Sequence, residues 1–383
     1  MATNKKREQD GVVSYQVRYR DAEGKERSKQ FKKWKDAEAF RIKVESEVAS
    51  GVHTPESTSV TVARAADLFL DGRKLRELER ASIADLASHI ENHIKPLLGT
   101  EKLATLTMPA VNDFAEALVR TGRSRVLAAK ILVTFRSILR DAQKRGLVGQ
   151  NVAVGVSVPV STRVLDEEAT VYVPTRKELR DILSTAEAKF PDFYPYVLTA
   201  VFTGLRSSEL RGLRIVDIDL KGATISVRQR ADKYGVIGAP KSKAGRRTIP
   251  VPPMLVSVLR AWILRAPKSD KGLAFPTSTG GVRLHGNTEK RQYWPLLVAA
   301  GVSEPTGKRS KRGKELMRGR FGIHCLRHAA ASAWINGGVD LKRIQSWLGH
   351  STIELTMDRY GHLMADDAAD AAIARATEAA LFG

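Results

Sequence analysis

The spacing of apolar and polar residues changes period several times along the chain, and each change predicts a different element. Over residues 11–33 the alternation has period two. Val13, Tyr15, Val17 and Tyr19 fall on one face and Gln16, Arg18 and Arg20 on the other, which predicts a strand. Residues 21–24 read as a turn, 28–34 as a second strand, and 35 to about 50 as a helix stopped by Gly51. This is a small sheet backed by one helix. After a break at His53-Thr-Pro55 the spacing turns helical, through Ala65, Ala66, Phe69 and Leu70, then Ile83, Leu86, Ala87 and Ile90. Pro109 marks a helix start ahead of Val111, Phe114, Ala115 and Leu118, and residues 124–144 form a long helix that stops at Arg145-Gly146. Residues 147–174 have no helical stripe and predict a linker plus a strand. Thr175-Arg-Lys-Glu178 is a capping box that opens a third region, mostly helical, with a strand-rich interval between Ala223 and Val251. Near the end, residues 366–381 predict an alanine-rich helix with Ala369, Ala372, Ile373 and Ala376 on one stripe.

Length and charge sharpen this picture. A chain of 383 residues predicts two to three domains, and 43% apolar residues suffice for ordinary cores. The net charge of +21 predicts a polyanionic partner, nucleic acid first. Residues 205–250 hold 11 basic and 4 acidic side chains and residues 301–330 hold 8 and 2, whereas residues 361–383 hold 1 basic and 4 acidic. The excess therefore lies in the third region but not at its end, which suits a protein contact instead of DNA. The single cysteine, Cys325, excludes an internal disulfide framework and a multi-cysteine zinc site. No apolar run approaches the ~20 residues of a membrane span. The polar first ten residues are no secretory signal, so a reducing cytoplasm is the expected setting.

Five features of the third region carry chemistry. They are Thr203-Gly-Leu-Arg206-Ser-Ser-Glu209, the hairpin Ala239-Pro-Lys241-Ser-Lys243-Ala-Gly-Arg246-Arg247, His324-Cys-Leu-Arg327-His328, Trp347-Leu-Gly349-His350, and Met357-Asp-Arg-Tyr360. Each alone has an ordinary explanation: a paired arginine at a helix start, a solvated lysine-rich edge, or a half-buried tyrosine at a helix end. The two histidines four apart lack the glutamate of a zincin, whose place Cys325 takes. Their order is more telling: arginine, hairpin lysine, His-x-x-Arg, Gly-His, then a tyrosine ten residues on.

In this order the set resembles the catalytic constellation of the tyrosine recombinases, the family of bacteriophage integrases. The resemblance implies a multidomain, mainly α chain with small β elements. Residues 1–55, the small sheet plus helix, would be an arm-type DNA-binding domain, and residues 60–152 a core-binding helical bundle. Residues 170–383 would be a mostly helical α+β catalytic domain of the DNA breaking-rejoining type, with a helical tail at 366–381. By the same resemblance, Arg206 and Arg327 grip the scissile phosphate, and Lys241, with Lys243 as its rival, protonates the leaving 5′ oxygen. His324 and His350 complete the site, Glu209 orients Arg206, and Tyr360 is the nucleophile.

The chemistry of the groups agrees. A phosphodiester carries one negative charge and its pentavalent transition state develops a second, which paired guanidiniums stabilise. A tyrosine of pKa ~10 needs a base or cationic neighbours to attack. The sequence has neither a phosphate-binding glycine loop nor an acidic cluster for a divalent metal. A phosphotyrosyl intermediate retains the energy of the broken linkage, so neither ATP nor a metal cofactor is expected. The implied function is integration and excision of a phage or prophage genome at attachment sites through a 3′-phosphotyrosyl intermediate. The implied partners are double-stranded DNA at core and arm sites and a homo-tetramer on it, joined by a host DNA-bending protein and an excision factor. An integrase of a conjugative or genomic-island element is the alternative within the class. A DNA-binding regulator without catalysis is the alternative outside it, opposed by the intact six-residue set.

Overall fold

The computed structural model describes residues 2–9, 12–21, 24–76, 78–159, 172–310, 313 and 315–360. The chain divides into two compact units, Met1–Asp166 and Glu167–Gly383.

The first unit begins with an antiparallel sheet of β1 (Thr3–Gln9), β2 (Val12–Arg20) and β3 (Glu26–Phe31), with β2 in the centre. Helix α1 (Trp34–Ala49) packs Ala37, Phe40 and Val44 on Val17, Tyr19 and Phe31. Strand β1 was not expected. Its sequence, TNKKREQ, lacks apolar alternation and becomes a strand by pairing its backbone with β2. On the sheet face away from α1, Lys5, Gln16 and Gln30 lie directly opposite one another, as do Thr3, Arg18 and Ser28. The break after α1 is held in place. His53 bridges Glu47 (Nδ1 to Oε2, 3.0 Å) and the Tyr19 hydroxyl (Nε2, 3.1 Å). Lys29 pairs with Glu56 at 2.6 Å, and the Gly149 N–H donates to Thr54 Oγ1 at 3.0 Å.

The helices of this unit are α2 (Val62–Leu75), α3 (Arg80–His89), α4 (Lys95–Leu98), α5 (Met108–Arg120) and α6 (Arg125–Lys144). Thr61, Thr107 and Ser124 cap α2, α5 and α6, each side-chain oxygen accepting a backbone N–H. A π-turn at Ile90–Ile94 joins α3 to α4 just before Pro96, whose missing N–H leaves the ordinary ladder incomplete. Phe69, Ile90, Ile94, Phe114, Ile131 and Phe135 form the centre of the core. Part of the expected linker belongs to this bundle. Val148, Ala153 and Val156 are buried in it, and Arg136 donates to the carbonyls of Ala153 (3.2 Å) and Val156 (2.7 Å). The rest of that stretch, 160–171, lies outside the described residues.

The second unit opens with α7 (Arg176–Lys189), started by the expected capping box, in which Thr175 Oγ1 accepts from the Glu178 N–H and Glu178 accepts from that of Thr175. Helices α8 (Tyr194–Thr203) and α9 (Ser207–Gly212) follow. The strand-rich interval contains β4 (Ile218–Asp219), β5 (Thr224–Val227), β6 (Arg230–Ala231), β7 (Ile237–Gly238) and β8 (Arg247–Pro250). They pair as a β4-β5-β8 sheet and a β6-β7 ribbon. Next come α10 (Pro253–Arg265), α11 (His285–Thr288) and α12 (Trp294–Ala299), then a hairpin of β9 (Ser303–Arg309) and β10 (Glu315–Gly319). The hairpin was not expected either, since Pro305 and Gly307 break its strand pattern. The last described helices are α13 (Cys325–Asn336), α14 (Leu341–Leu348) and α15 (Glu354–Tyr360). One core surrounds Tyr196, Leu198, Phe275 and Tyr293, and a smaller one joins Ala331, Ile344, Leu348 and Tyr360. The expected tail helix at 366–381 lies outside the described residues. Among the described residues no helix is long and apolar enough to cross a membrane.

Phe135 is fully buried in the helical bundle, its ring centre 5.5 Å from that of Phe114. Phe135→Ala should therefore destabilise the bundle by about 3–5 kcal/mol, measured by urea unfolding of the variant against the parent chain.

Candidate active site

The site is built where two helices end and two begin. Helix α8 stops at Gly204, which takes the left-handed conformation (φ 58°). Arg206 follows as the residue preceding α9, and its N–H donates to Glu209 Oε2 at 2.8 Å. The Glu209 carboxylate also accepts from the Arg206 guanidinium at 2.9 Å and from both terminal nitrogens of Arg247, at 3.1 and 2.8 Å. Glu209 is 3% exposed, and so is the Arg247 side chain. Burial works against the ionised carboxylate, but the hydrogen bonds and charge of Arg247, with the charge of Arg206, hold its pKa below the ordinary value.

Helix α14 supplies the opposite wall. Asp340 caps its start, accepting from the N–H groups of Lys342 and Arg343. Its end is Gly349, also left-handed (φ 66°). A Cβ at Gly349 would lie 2.8 Å from the Ala244 carbonyl oxygen and 2.9 Å from an Arg247 guanidinium nitrogen, so only glycine fits. The Gly349 carbonyl accepts from Arg206 at 3.2 Å, and that of Trp347 from Arg247 Nε at 2.5 Å.

Arg327 lies on the first turn of α13. Its guanidinium donates to the carbonyls of Gly204 (2.7 Å) and Leu348 (2.6 Å), the ends of α8 and α14. These acceptors are neutral, so they orient the cation without cancelling its charge. Burial, and then the charge of Arg206, push its pKa down to about 9, which leaves it protonated at neutral pH.

Arg206, His324, Arg327 and His350, with Leu355, line one cavity of about 240 Å³. His350 is fixed by a 2.8 Å hydrogen bond between its Nδ1 and Thr356 Oγ1, and the exposed His324 packs edge-on against His328, ring centres 4.9 Å apart. Four of the six candidate residues thus meet. The other two do not line the cavity. Lys241 and its rival Lys243 are exposed, on the segment between β7 and β8 whose Ala244 lies against Gly349. Tyr360 is 1% exposed in the small core of α13 and α14, and its hydroxyl lies 2.6 Å from His328 Nδ1.

Sequence reasoning assigned no part to Arg247, because a basic residue on a hairpin ordinarily faces solvent. Its signal was position alone: Arg247 pairs with Val227 across the sheet. Among the described residues no group of three or more His, Cys, Asp or Glu is placed to hold a metal ion. What the cavity offers is two oriented guanidiniums and two imidazoles, an arrangement for gripping a phosphodiester.

Known proteins place the chain in a class. Residues 174–366 match the Phage integrase family, and this is half of the chain. The integrase of Mycobacterium phage L5 is 27% identical over 89% of this chain and 87% of its own length. The Tn1549 transposon integrase, solved in complex with a circular intermediate DNA, shares the fold with a TM-score of 0.67 at 18% identity, covering 83% of this chain and 99% of that one. A lambda integrase tetramer bound to a Holliday junction gives 0.58 at 18% identity, covering 91% and 95%. The chain belongs to the phage integrase family, and it is a tyrosine-type site-specific DNA recombinase.

Removing the charge of Glu209 leaves two arginines without their shared acid. Glu209→Gln should cost about 3–5 kcal/mol in urea unfolding at neutral pH. Because the folded pKa is depressed, the stabilisation is present above the unfolded value of ~4.3 and is lost as pH falls through the folded value. The gap between variant and parent should accordingly narrow below about pH 4.

Proposed function

We propose that this recombinase cleaves and rejoins attachment-site DNA through a 3′-phosphotyrosyl bond to Tyr360, and that it integrates and excises a phage or prophage genome. The observation that carries this reading is the convergence of Arg206, His324, Arg327 and His350 on one cavity. A scissile phosphate in that cavity receives donors from both guanidiniums as its charge grows. Tyr360 attacks phosphorus, the 5′ oxygen leaves with a proton from Lys241, and rejoining reverses these steps. The guanidiniums supply the charge that a metal would otherwise supply. The likeness to the phage L5 integrase over 89% of this chain supports the phage-type reading, and the fold shared with the Tn1549 integrase supports the conjugative-element alternative. Sequencing the DNA that flanks the gene tests that choice.

The sheet of residues 1–55 supports arm-site binding. Its face away from α1 carries Lys5 and Gln30 in one row, on either side of Gln16, and Arg18 in the next, and Arg18 and Gln30 suit hydrogen bonds to base edges in a major groove. The bundle of residues 60–152 is assigned to core-site binding and residues 170–383 to catalysis. By likeness to the lambda assembly, the working form is a tetramer on DNA. A host DNA-bending protein and an excision factor complete the proposed set of partners.

Three outcomes check this reading. Tyr360→Phe should bind core-site DNA and form no protease-sensitive covalent adduct on a nicked suicide substrate; adduct formation would move the nucleophile elsewhere. Lys241→Ala should slow cleavage about 10²–10⁴-fold. A 5′-bridging sulfur, which leaves without a proton, should restore the rate, and rescue of Lys243→Ala instead would make Lys243 the acid. Finally, Lys5→Ala with Arg18→Ala should abolish gel-shift binding to distal arm sites while leaving cleavage of an isolated core site intact.

A further inference from the structure

We propose that His328 is the proton acceptor for the Tyr360 hydroxyl, a catalytic role separate from those of His324 and His350; the inference rests on the reading of Tyr360 as nucleophile. The two groups are already in contact, His328 Nδ1 lying 2.6 Å from the phenolic oxygen, a short distance even for hydrogen bonds to hydroxyls. Both residues are buried, His328 6% and Tyr360 1% exposed, so bulk water does not serve as the base at this seat. His324 meets the edge of the His328 ring and also lines the phosphate cavity, and His350 engages Thr356 through its own Nδ1. Geometry therefore gives the tyrosine proton to His328 and leaves the other two imidazoles with the phosphate.

The step balances within the site. The Tyr360 O–H bond breaks and its proton passes to Nδ1 of neutral His328, which becomes an imidazolium. The phenolate oxygen bonds to phosphorus, and the bond from phosphorus to the 5′ oxygen breaks as that oxygen takes a proton from Lys241. Rejoining returns each proton. In a site shielded from water the phenolate–imidazolium pair is attractive, and Arg327 beside it favours the phenolate. Leu355, at the cavity wall, and Tyr360 belong to the same short helix α15, which joins the seat of the tyrosine to the cavity.

Among the described residues, the titratable and charged groups near His328 come from the elements packed on it. Helix α13 itself carries Cys325 and Arg327, with His324 directly before it, and α15 brings Tyr360 and the exposed Glu354, with Asp358 and Arg359 also in its sequence. The packed helix α8 carries Tyr194 and Tyr196, and α14 carries the exposed Lys342 and Arg343.

The test uses the full-length protein and a nicked core-site duplex with a 5′-bridging sulfur, so that Lys241 drops out of the pH dependence. The rate of covalent adduct formation is followed with pH for the parent chain, His328→Asn and Tyr360→Phe. The asparagine carboxamide keeps an acceptor near the place of Nδ1 but cannot take up a proton. We expect the parent rate to rise with pH as the imidazole becomes neutral and then level off. His328→Asn should be about 10²–10⁴-fold slower at neutral pH and should keep rising with pH, without levelling, as hydroxide replaces the base. An unchanged rate and profile in His328→Asn, with no adduct from Tyr360→Phe, overturns the role of His328 alone. Adduct from Tyr360→Phe overturns the nucleophile on which the inference rests. Core-site gel shifts establish that the variant is folded, and His328→Gln is the second variant on the same readouts. Loss of DNA binding by both would give His328 a merely structural role and overturn the proposal.

Discussion

A single buried carboxylate organises the second unit. Arg206 and Glu209 share the start of α9, and Arg247 reaches the same carboxylate from β8. Through Arg247 it fixes β8 against the end of α14, because the same guanidinium also reaches the Trp347 carbonyl. Through Arg206 it fixes the start of α9, and the Gly349 carbonyl completes that arginine's orientation. An unpaired charge in such a place would cost several kcal/mol, so the three side chains stand or fall together.

The two cavity arginines are treated differently. Arg206 shares an acid, whereas Arg327 is held by the carbonyls that close α8 and α14. Helix C-termini carry partial negative charge, enough to orient a guanidinium and too little to neutralise it. Burial, and then the charge of Arg206, leave it a cation at high electrostatic potential, and its pKa falls to about 9. Binding a phosphodiester relieves that potential, and a transition state with a second negative charge relieves it further. Geometry explains why a lysine would not serve: one ammonium on a flexible stem does not hold two carbonyls in fixed directions and still face the phosphate.

Much of this was legible in the residues. Thr175 announces its helix by a capping box that needs no tertiary partner, and the box is formed. The strand Val13 to Tyr19 shows its buried face by alternation. What escaped notice lacked such a local signal. Strand β1 is polar throughout and exists through pairing with β2. Val148, Ala153 and Val156 are too sparse to form a stripe, yet the bundle closes over them. The candidate chemistry was legible as an order of residues, but neither the depth of Arg247 nor the contact of His328 with Tyr360 could be read. Both are set by distant segments, 38 and 32 residues away in sequence.

The anchored segment after α1 has a thermodynamic consequence. Lys29 with Glu56, Thr54 with Gly149, and the bridge from Glu47 through His53 to Tyr19 fasten both ends of what would otherwise be a swinging tether. A flexible tether lets a second binding module search a wide volume at modest effective concentration. A fastened one concentrates it in a single direction and denies it every other. With the sheet reading DNA as proposed, a duplex earns the benefit of two-site binding only when its path brings the second site to that direction. The joint thereby turns DNA curvature into a term in affinity, at positions that no side chain touches.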